Sequence, residues 1–263
     1  MSGGPMGTGP VDAGHPPGGP VTGVILAGGN GTRLAPLTDR TSKQLLPIGG
    51  EPLVARVTAQ LARAGVADVL VVIDERHAGG FLDALRDGRR FGLRSLAYVW
   101  QPPDGRGMPS AIAQAERHLR TDKFLVACGD VLIEPSLAPA VADFAAQRGG
   151  ARILATRTPD TAGYTPLLTS GARVTGIPDK DPARHGPGLM DLGCYLYHRD
   201  VFDEIRALRP SARGETEIWD LNRVYARRGR LACTEVTGWW TDVGSSLDTY
   251  RRADARYGLD RVR

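Results

Sequence analysis

From Val21 onward the chain alternates short, continuously apolar runs with stretches whose apolar residues recur at helical spacing, and this alternation most restricts its fold. Val21–Ala27 reads as a buried strand that ends in Gly28-Gly29-Asn30-Gly31. Pro52–Ala64 carries Leu53, Val54, Val57 and Leu61 on one helical face and stops at Gly65. Further strands are expected at Val69–Ile73, Leu93–Trp100, Phe124–Cys128 and Ile153–Thr156, with helices near Gly79–Arg86, Ser110–Leu119 and Leu137–Gln147. Strands apolar on both faces and separated by helices predict a parallel sheet covered on both sides. In the second half, Tyr164–Thr169 and Arg173–Ile177 read as a hairpin and Leu189–Tyr197 as a long strand. Helices at Val201–Leu208 and Glu217–Arg228, a strand at Leu231–Val236 and a helix at Leu247–Tyr257 follow. The expected fold class is α/β, a three-layer sandwich with a mixed, mostly parallel central sheet.

Residues 1–20 hold seven Gly and five Pro without an apolar stretch, so they read as a disordered tail, and 21–263 as a single domain. The tail lacks the basic start and apolar core of a signal peptide, and apolar runs such as Val69–Ile73 fall far short of the roughly 18 residues of a membrane span. Cys128, Cys194 and Cys233 are far apart in sequence, which argues against a zinc site or a disulfide framework and fits a cytoplasmic location. Net charge is +4, and the basic-leaning stretches 86–94 and 251–263 are interrupted by Asp or apolar residues. Neither a nucleic-acid nor a membrane partner is expected. Of the 33 basic residues only three are lysine, Lys43, Lys123 and Lys180.

The turn Leu26-Ala27-Gly28-Gly29-Asn30-Gly31-Thr32-Arg33-Leu34 can bring backbone N–H groups close to a phosphate, with Arg33 supplying a planar cation. Its spacing fits neither GxGxxG nor a GK[ST] loop. Thr41-Ser42-Lys43-Gln44-Leu45-Leu46-Pro47-Ile48 follows shortly after.

Together the segments GGNGTRL and SKQLLPIGGEPL resemble the signature of the sugar nucleotidyltransferases, and within them the glucose-1-phosphate thymidylyltransferase (dTDP-glucose pyrophosphorylase) group. The resemblance runs through most of 21–250. Gln101-Pro102-Pro103-Asp104-Gly105 looks like the base-recognition loop, with Gly107 at the turn into a helix, and Cys128-Gly129-Asp130 matches a Gly-Asp after a central strand. Asp179-Lys180-Asp181-Pro182 resembles Glu-Lys-Pro, and Trp240-Thr241-Asp242-Val243-Gly244 fits Trp-x-Asp-x-Gly. Residues 210–222 are similar to a thymidylyltransferase segment. The implied fold is the Rossmann-like nucleotide-diphospho-sugar transferase fold, with a nucleotide-binding part at about 21–130 and a sugar-binding part at about 131–245.

The implied reaction joins a nucleoside triphosphate, dTTP favoured, to a sugar-1-phosphate, glucose-1-phosphate favoured, and releases pyrophosphate. The attacking phosphate oxygen is already ionised, so no general base is required, and His15, His77, His118, His185 and His198 all lie outside the motifs. Bringing an anion onto an anion demands cations and a divalent metal. The resemblance assigns Arg33, Lys43 and Lys180 as catalytic and Asp130 and Asp242 as ligands of Mg²⁺. It assigns the nucleotide to Leu26, Gly28, Gly29, Gly31, Thr32, Arg33, Gln101, Gly105, Gly107 and Asp130. The sugar falls to Gly163, Tyr164, Asp179, Lys180 and Trp240, although the two aromatics are equally well explained as core.

Several positions depart from the family pattern. Asp181 separates Lys180 from Pro182, Asp179 stands where Glu is expected, Val131 follows Asp130 where many relatives carry Asn, and Met108-Pro109 is unusual beside the base loop. The chain also ends soon after Gly244, where longer thymidylyltransferases continue with helices for assembly and feedback. Another triphosphate (UTP, CTP, GTP or ATP), a rarer sugar phosphate, a homo-oligomer, or a non-catalytic nucleotide-sugar-binding relative therefore stay open from sequence.

Overall fold

In the computed structural model the described residues are 20–29, 31–103, 105, 107–179, 181, 183 and 185–259. All of the expected tail but Pro20 lies outside them. β1 (Val21–Leu26) is buried along its whole length and runs into the glycine turn. A ribbon of β2 (Pro47–Ile48) and β3 (Glu51–Pro52) leads into α1 (Leu53–Arg63), whose Leu53, Val54, Val57 and Leu61 are fully buried. β4 (Asp68–Ile73), α2 (Ala78–Leu85), β5 (Ser95–Trp100), α3 (Met108–Ala113) and β6 (Lys123–Cys128) complete the first half. α3 starts two residues earlier than the periodicity suggests, because Gly107 takes φ 89° before it and Pro109 occupies its first turn. Beyond Ala113 the hydrogen bonds tighten to the i+3 pattern, so the regular helix ends there.

β5, β4, β1 and β6 are mutually parallel neighbours. Their side chains alternate between two cores, as a strand buried on both faces must. Ile25, Val71, Leu125 and Ala127 join the core under α1, α2 and α4, whereas Val24, Val72, Phe124 and Val126 join the core on the other face. That second core includes Ala111 and Ile112 of α3 and Tyr225 of a later helix.

The second half contains β7 (Val131–Ile133), α4 (Ala138–Ala146), β8 (Ala151–Thr158), β9 (Pro166–Ser170), β10 (Arg173–Gly176) and β11 (Gly188–His198). α5 (Val201–Ala207), α6 (Ile218–Arg227), β12 (Leu231–Glu235), β13 (Trp240–Asp242) and α7 (Leu247–Leu259) complete it. The nine-stranded sheet has the order β5-β4-β1-β6-β11-β8-β12-β10-β9, and β9 pairs back onto β11. Strands β11, β8, β12, β10 and β9 thus close on themselves in a barrel-like ring.

This corrects the expected mostly parallel three-layer sandwich. The sheet is mixed, but β6–β11, β8–β11, β9–β10, β10–β12 and β9–β11 are all antiparallel. The cause lies in the connections. A parallel neighbour needs a long crossover, whereas the turn Gly171-Ala172 between β9 and β10 only allows a hairpin. Among the described residues no helix is long and apolar enough to cross a membrane.

α7 docks on the β2–β3 ribbon. The Gly49 N–H donates to Asp254 Oδ1 at 2.7 Å, and the Tyr250 hydroxyl donates to the Pro47 carbonyl at 3.0 Å. Gly49 has φ 54°, and a Cβ there would sit 2.6 Å from the Tyr257 backbone. Gly49→Ala is therefore expected to destabilise the protein by roughly 2–4 kcal/mol through overpacking and left-handed strain. Urea unfolding with an unchanged m-value measures this, and a loss below about 1 kcal/mol would contradict the docking.

Candidate active site

Three distant segments meet at the end of β1. The first is the turn after it: Gly129, which follows β6, donates its N–H to the Leu26 carbonyl at 2.9 Å. A Cβ on Gly129 would lie 2.8 Å from that same carbonyl oxygen, so the approach requires glycine. The second is the 3₁₀ turn Lys43–Leu45. Buried Gln44 ties it down, its Nε2 donating to the Gly28 carbonyl at 3.4 Å and its Oε1 accepting from Ser42 Oγ at 2.5 Å. Gly31, at φ 59°, lets the turn pass close to Lys43 Cβ.

The third segment arrives through β13, which pairs with β7 so that Asp242 lies opposite Val131. The Val243 N–H then donates to the Asp130 carbonyl at 3.0 Å. This small ribbon was not foreseen from sequence, because three-residue strands carry too few positions for periodicity to show. It is nevertheless what places Asp242 beside Asp130.

Lys43 Nζ forms an ion pair and hydrogen bond with Asp130 Oδ2, both side chains being largely buried. Gly244 closes the pair in. A Cβ at Gly244 would lie 2.4 Å from Asp130 Oδ2 and 3.1 Å from Lys43 Nζ. Burial alone would pull the Lys43 ammonium down, but the charge and hydrogen bond of Asp130, with Asp242 behind, outweigh it and the net shift is upward. Asp242 is pushed up by burial and by the Asp130 charge, against the pull of Lys43 and Arg33. Its Oδ1 is buried with no hydrogen-bond partner among the described residues.

These groups face a cavity of about 570 Å³. Of the residues expected at the site, Leu26, Gly28, Arg33, Lys43, Asp130, Gly163, Tyr164, Trp240 and Asp242 line it together. The rings of Tyr164 and Trp240 meet edge to face at 6.1 Å, so this pair belongs to the cavity wall. Gly29, Gly31, Thr32, Gln101, Gly105 and Gly107 stand outside the lining. Gln101 Nε2 donates to the Gly105 carbonyl at 2.8 Å, and Gln101 Oε1 packs against Gly28, where a Cβ would come within 2.3 Å. Gly107 is pressed against the Thr216 backbone, 2.0 Å from where its Cβ would be. The base-loop residues thus support the glycine turn from outside.

Asp179 is not brought in. Its side chain is 88% exposed and pairs with Arg223 of α6 rather than facing the cavity. Lys180, Asn30, Asp104 and Pro182 lie outside the described residues. None of the described histidines lines the cavity; His77 pairs with Asp74 at 3.0 Å and His185 with Asp160 at 3.1 Å.

Sequence reasoning missed Met190, Asp191, Gly193 and Tyr195 of β11, all of which line the cavity. One signal was available: Asp191 is an acid in the middle of the apolar run Leu189–Tyr197. Cys128 also lines the cavity, its thiol held well above the usual range by burial and by Asp130, so it is an inert wall.

A glycine turn, two cations and two carboxylates converging beyond strand ends of an α/β sheet define a class, enzymes that handle phosphates by neutralising charge. The profile of the nucleotidyl transferase family matches residues 22–257, and the chain belongs to that family. Its shared chemistry condenses a nucleoside triphosphate with a sugar-1-phosphate. A glucose-1-phosphate thymidylyltransferase of Mycolicibacterium smegmatis is 36% identical over 251 residues, covering 90% of this chain and 84% of the relative. One from Actinoplanes sp. is 34% identical over 241 residues, covering 90% and 78%. The crystal structure of a Bacillus anthracis protein assigned as a glucose-1-phosphate thymidylyltransferase, with sucrose bound, superimposes with a TM-score of 0.83 at 33% identity, covering 90% of this chain and 95% of that one.

The upward shift of Asp242 has a consequence for stability. With a folded pKa above the unfolded value of about 3.9, the native state holds more protons than the unfolded one in that window, so stability falls as pH rises through it. Asp242→Asn is expected to raise the melting temperature of the ligand-free protein at pH 7, the gain shrinking as pH falls towards 4. A lower melting temperature at pH 7 would contradict the repulsion.

Proposed function

We propose that the chain condenses dTTP with glucose-1-phosphate, giving dTDP-glucose and pyrophosphate by in-line attack on the α-phosphate. The sugar-phosphate oxygen forms a bond to the α-phosphorus, and the bond from that phosphorus to the bridging oxygen of the β-phosphate breaks. The electron pair leaves with pyrophosphate. No proton need be removed from the nucleophile, and none of the described histidines lines the cavity. The observation that carries this reading is the Lys43–Asp130 pair closed in by Gly244, with Arg33 and Asp242 on the same cavity. The choice of base and sugar follows the thymidylyltransferase relatives.

Arg33 and Lys43 grip the triphosphate and stabilise charge on the departing pyrophosphate, and Lys180 holds the phosphate of the sugar. Leu26 and Gly28 form the floor beneath the nucleotide, while Gln101 holds the turn in place. Gly163, Tyr164 and Trp240 provide the wall for the sugar. Asp130 and Asp242 would hold Mg²⁺, and the orphaned Asp242 Oδ1 is the feature that fits it. Among the described residues no group of three or more His, Cys, Asp or Glu forms a metal cage. Two carboxylates suit an ion that shares its coordination with phosphate oxygens and water. When bound, the ion supplies charge neutralisation and orientation of the phosphates.

The test is pyrophosphate release by the purified protein with Mg²⁺ over a matrix of five triphosphates and several sugar-1-phosphates. dTTP with glucose-1-phosphate is expected to give the highest kcat/KM, and absence of release from every pair would overturn the reading. Lys43→Ala is expected to lower kcat by roughly 10²- to 10³-fold, as for loss of one preorganised charge-stabilising donor. Lys43→Arg should not restore it, because Gly244 leaves the ammonium no room to become a planar fork. Asp130→Asn and Asp242→Asn should each remove most turnover while circular dichroism stays native; near-normal rates in both would remove the metal assignment.

A further inference from the structure

β7 is buried along its whole length, so each of its backbone N–H groups needs a partner within the protein. In an antiparallel pair these groups point alternately towards the neighbouring strand and away from it. The Glu134 N–H points towards the β13 side and donates to the Trp239 carbonyl at 3.0 Å, so the Ile133 N–H points away. It donates instead to Oε1 of Gln60, on α1, at 2.9 Å. Gln60 is 6% exposed and shares the buried face of α1 with Val57 and Leu61. Those two residues join the core that also holds Val131, Leu132 and Ile133.

An amide on such a face is unfavourable unless it is bonded, and a methionine or leucine would fill similar space without that cost. What the amide adds is one acceptor for one N–H, and its effect depends on where that N–H stands. Among the described strands β7 and β13 pair only with each other, and two strands of three residues hold no fixed position unaided. Asp130 immediately precedes this ribbon and Asp242 ends it. Asp130 is anchored to the central sheet through the Gly129 N–H on the Leu26 carbonyl, whereas Asp242 reaches the site by way of the ribbon. The Val243 N–H on the Asp130 carbonyl holds the ribbon at the site end, and Gln60 holds it at the other. α1 itself is tied to the segment that carries Lys43, the Leu53 N–H donating to the Leu46 carbonyl at 3.0 Å.

We propose that Gln60 is a positioning residue for the divalent-cation site. By fixing β7 to α1 it stops the ribbon from swinging about Asp130, and so sets how the Asp242 carboxylate meets an ion beside Asp130. This rests on the reading of Asp130 and Asp242 as the ligands of the ion.

The test uses Mn²⁺, a paramagnetic ion that shares the preference of Mg²⁺ for carboxylate and water. Its binding to the protein without nucleotide is titrated by electron paramagnetic resonance, and each variant is also melted. Gln60→Met is expected to raise the Kd for Mn²⁺ about tenfold, as loss of a group that orients a metal ligand does elsewhere. It should also lower the melting temperature, because the Ile133 N–H loses its acceptor. Gln60→Glu keeps an oxygen in the same place and should restore a Kd within about twofold of the native value. Val57→Ala opens a cavity on the same helix face, so it should lower the melting temperature and leave the Kd unchanged. Gln60→Asn, one methylene shorter, should raise the Kd as well, and it carries the test if Gln60→Met does not fold. Native Mn²⁺ affinity in whichever of these two folds would overturn the proposal. So would a Kd for Gln60→Glu as high as that of Gln60→Met, or an equal rise in Val57→Ala. No Mn²⁺ binding by the native protein, or binding that Asp130→Asn and Asp242→Asn leave unchanged, overturns the underlying metal reading. Binding that needs both carboxylates but ignores Gln60 overturns only the role of Gln60.

Discussion

The Lys43–Asp130 pair is held where a side chain on residue 244 would be, and most of the site follows from that crowding. Two opposite charges that are largely withdrawn from water need good geometry to offset desolvation. Here the geometry comes from backbone: the Gly129 N–H on the Leu26 carbonyl, the Val243 N–H on the Asp130 carbonyl, and Gln44 bridging to Gly28. A second carboxylate, Asp242, then sits near the first, one of its oxygens without a partner among the described residues. Two neighbouring carboxylates repel each other unless a cation lies beside them, and such strain is characteristic of sites built for binding rather than for stability.

The first half of the fold was legible because each strand there is buried on both faces and each helix has one apolar face. Val24 and Ile25 fall into opposite cores as the two-residue period requires. The closed ring of the second half was not legible. A short strand such as Arg173–Gly176 reads alike whether its sheet stays open or curls back, since closure is set by the β9–β11 pairing between residues far apart in sequence. The helix at Glu217–Arg228 was clear in outline, but its motif residues turn out to do structural work. Glu217 is buried and accepts from Arg213 and Ser211, and Asn222 accepts from the Tyr197 hydroxyl at 2.6 Å.

At the site, residues belonging to glycine-punctuated motifs were legible, because a backbone approach leaves a glycine wherever a Cβ would collide. Gly28, Gly129 and Gly244 are of this kind. Residues presented by a regular strand leave a weaker trace. Asp191 was visible only as a charge out of place in an apolar run, and Met190 and Tyr195 as nothing but core. Lysine scarcity proved informative in part. Lys43 is largely withdrawn from solvent at the centre of the site, while Lys123 is half-buried away from it and donates to the Ala145 carbonyl at the foot of β6.

The two sides of the cavity are made of different material. Around Gly28, the supporting residues Gln101 and Gly105 belong to the connection between β5 and α3, outside any described strand. Around Tyr164 and Trp240, the wall includes β11, which is bonded to β6, β8 and β9 at once. Exchanging side chains in the loop leaves the ring of strands intact, whereas exchanging those on β11 perturbs strands on either side of it. A change on the strand side is therefore felt through the whole ring, whereas a change in the loop stays local. The closure of the ring makes one wall of the cavity a shared part of the framework and leaves the other an appendage to it.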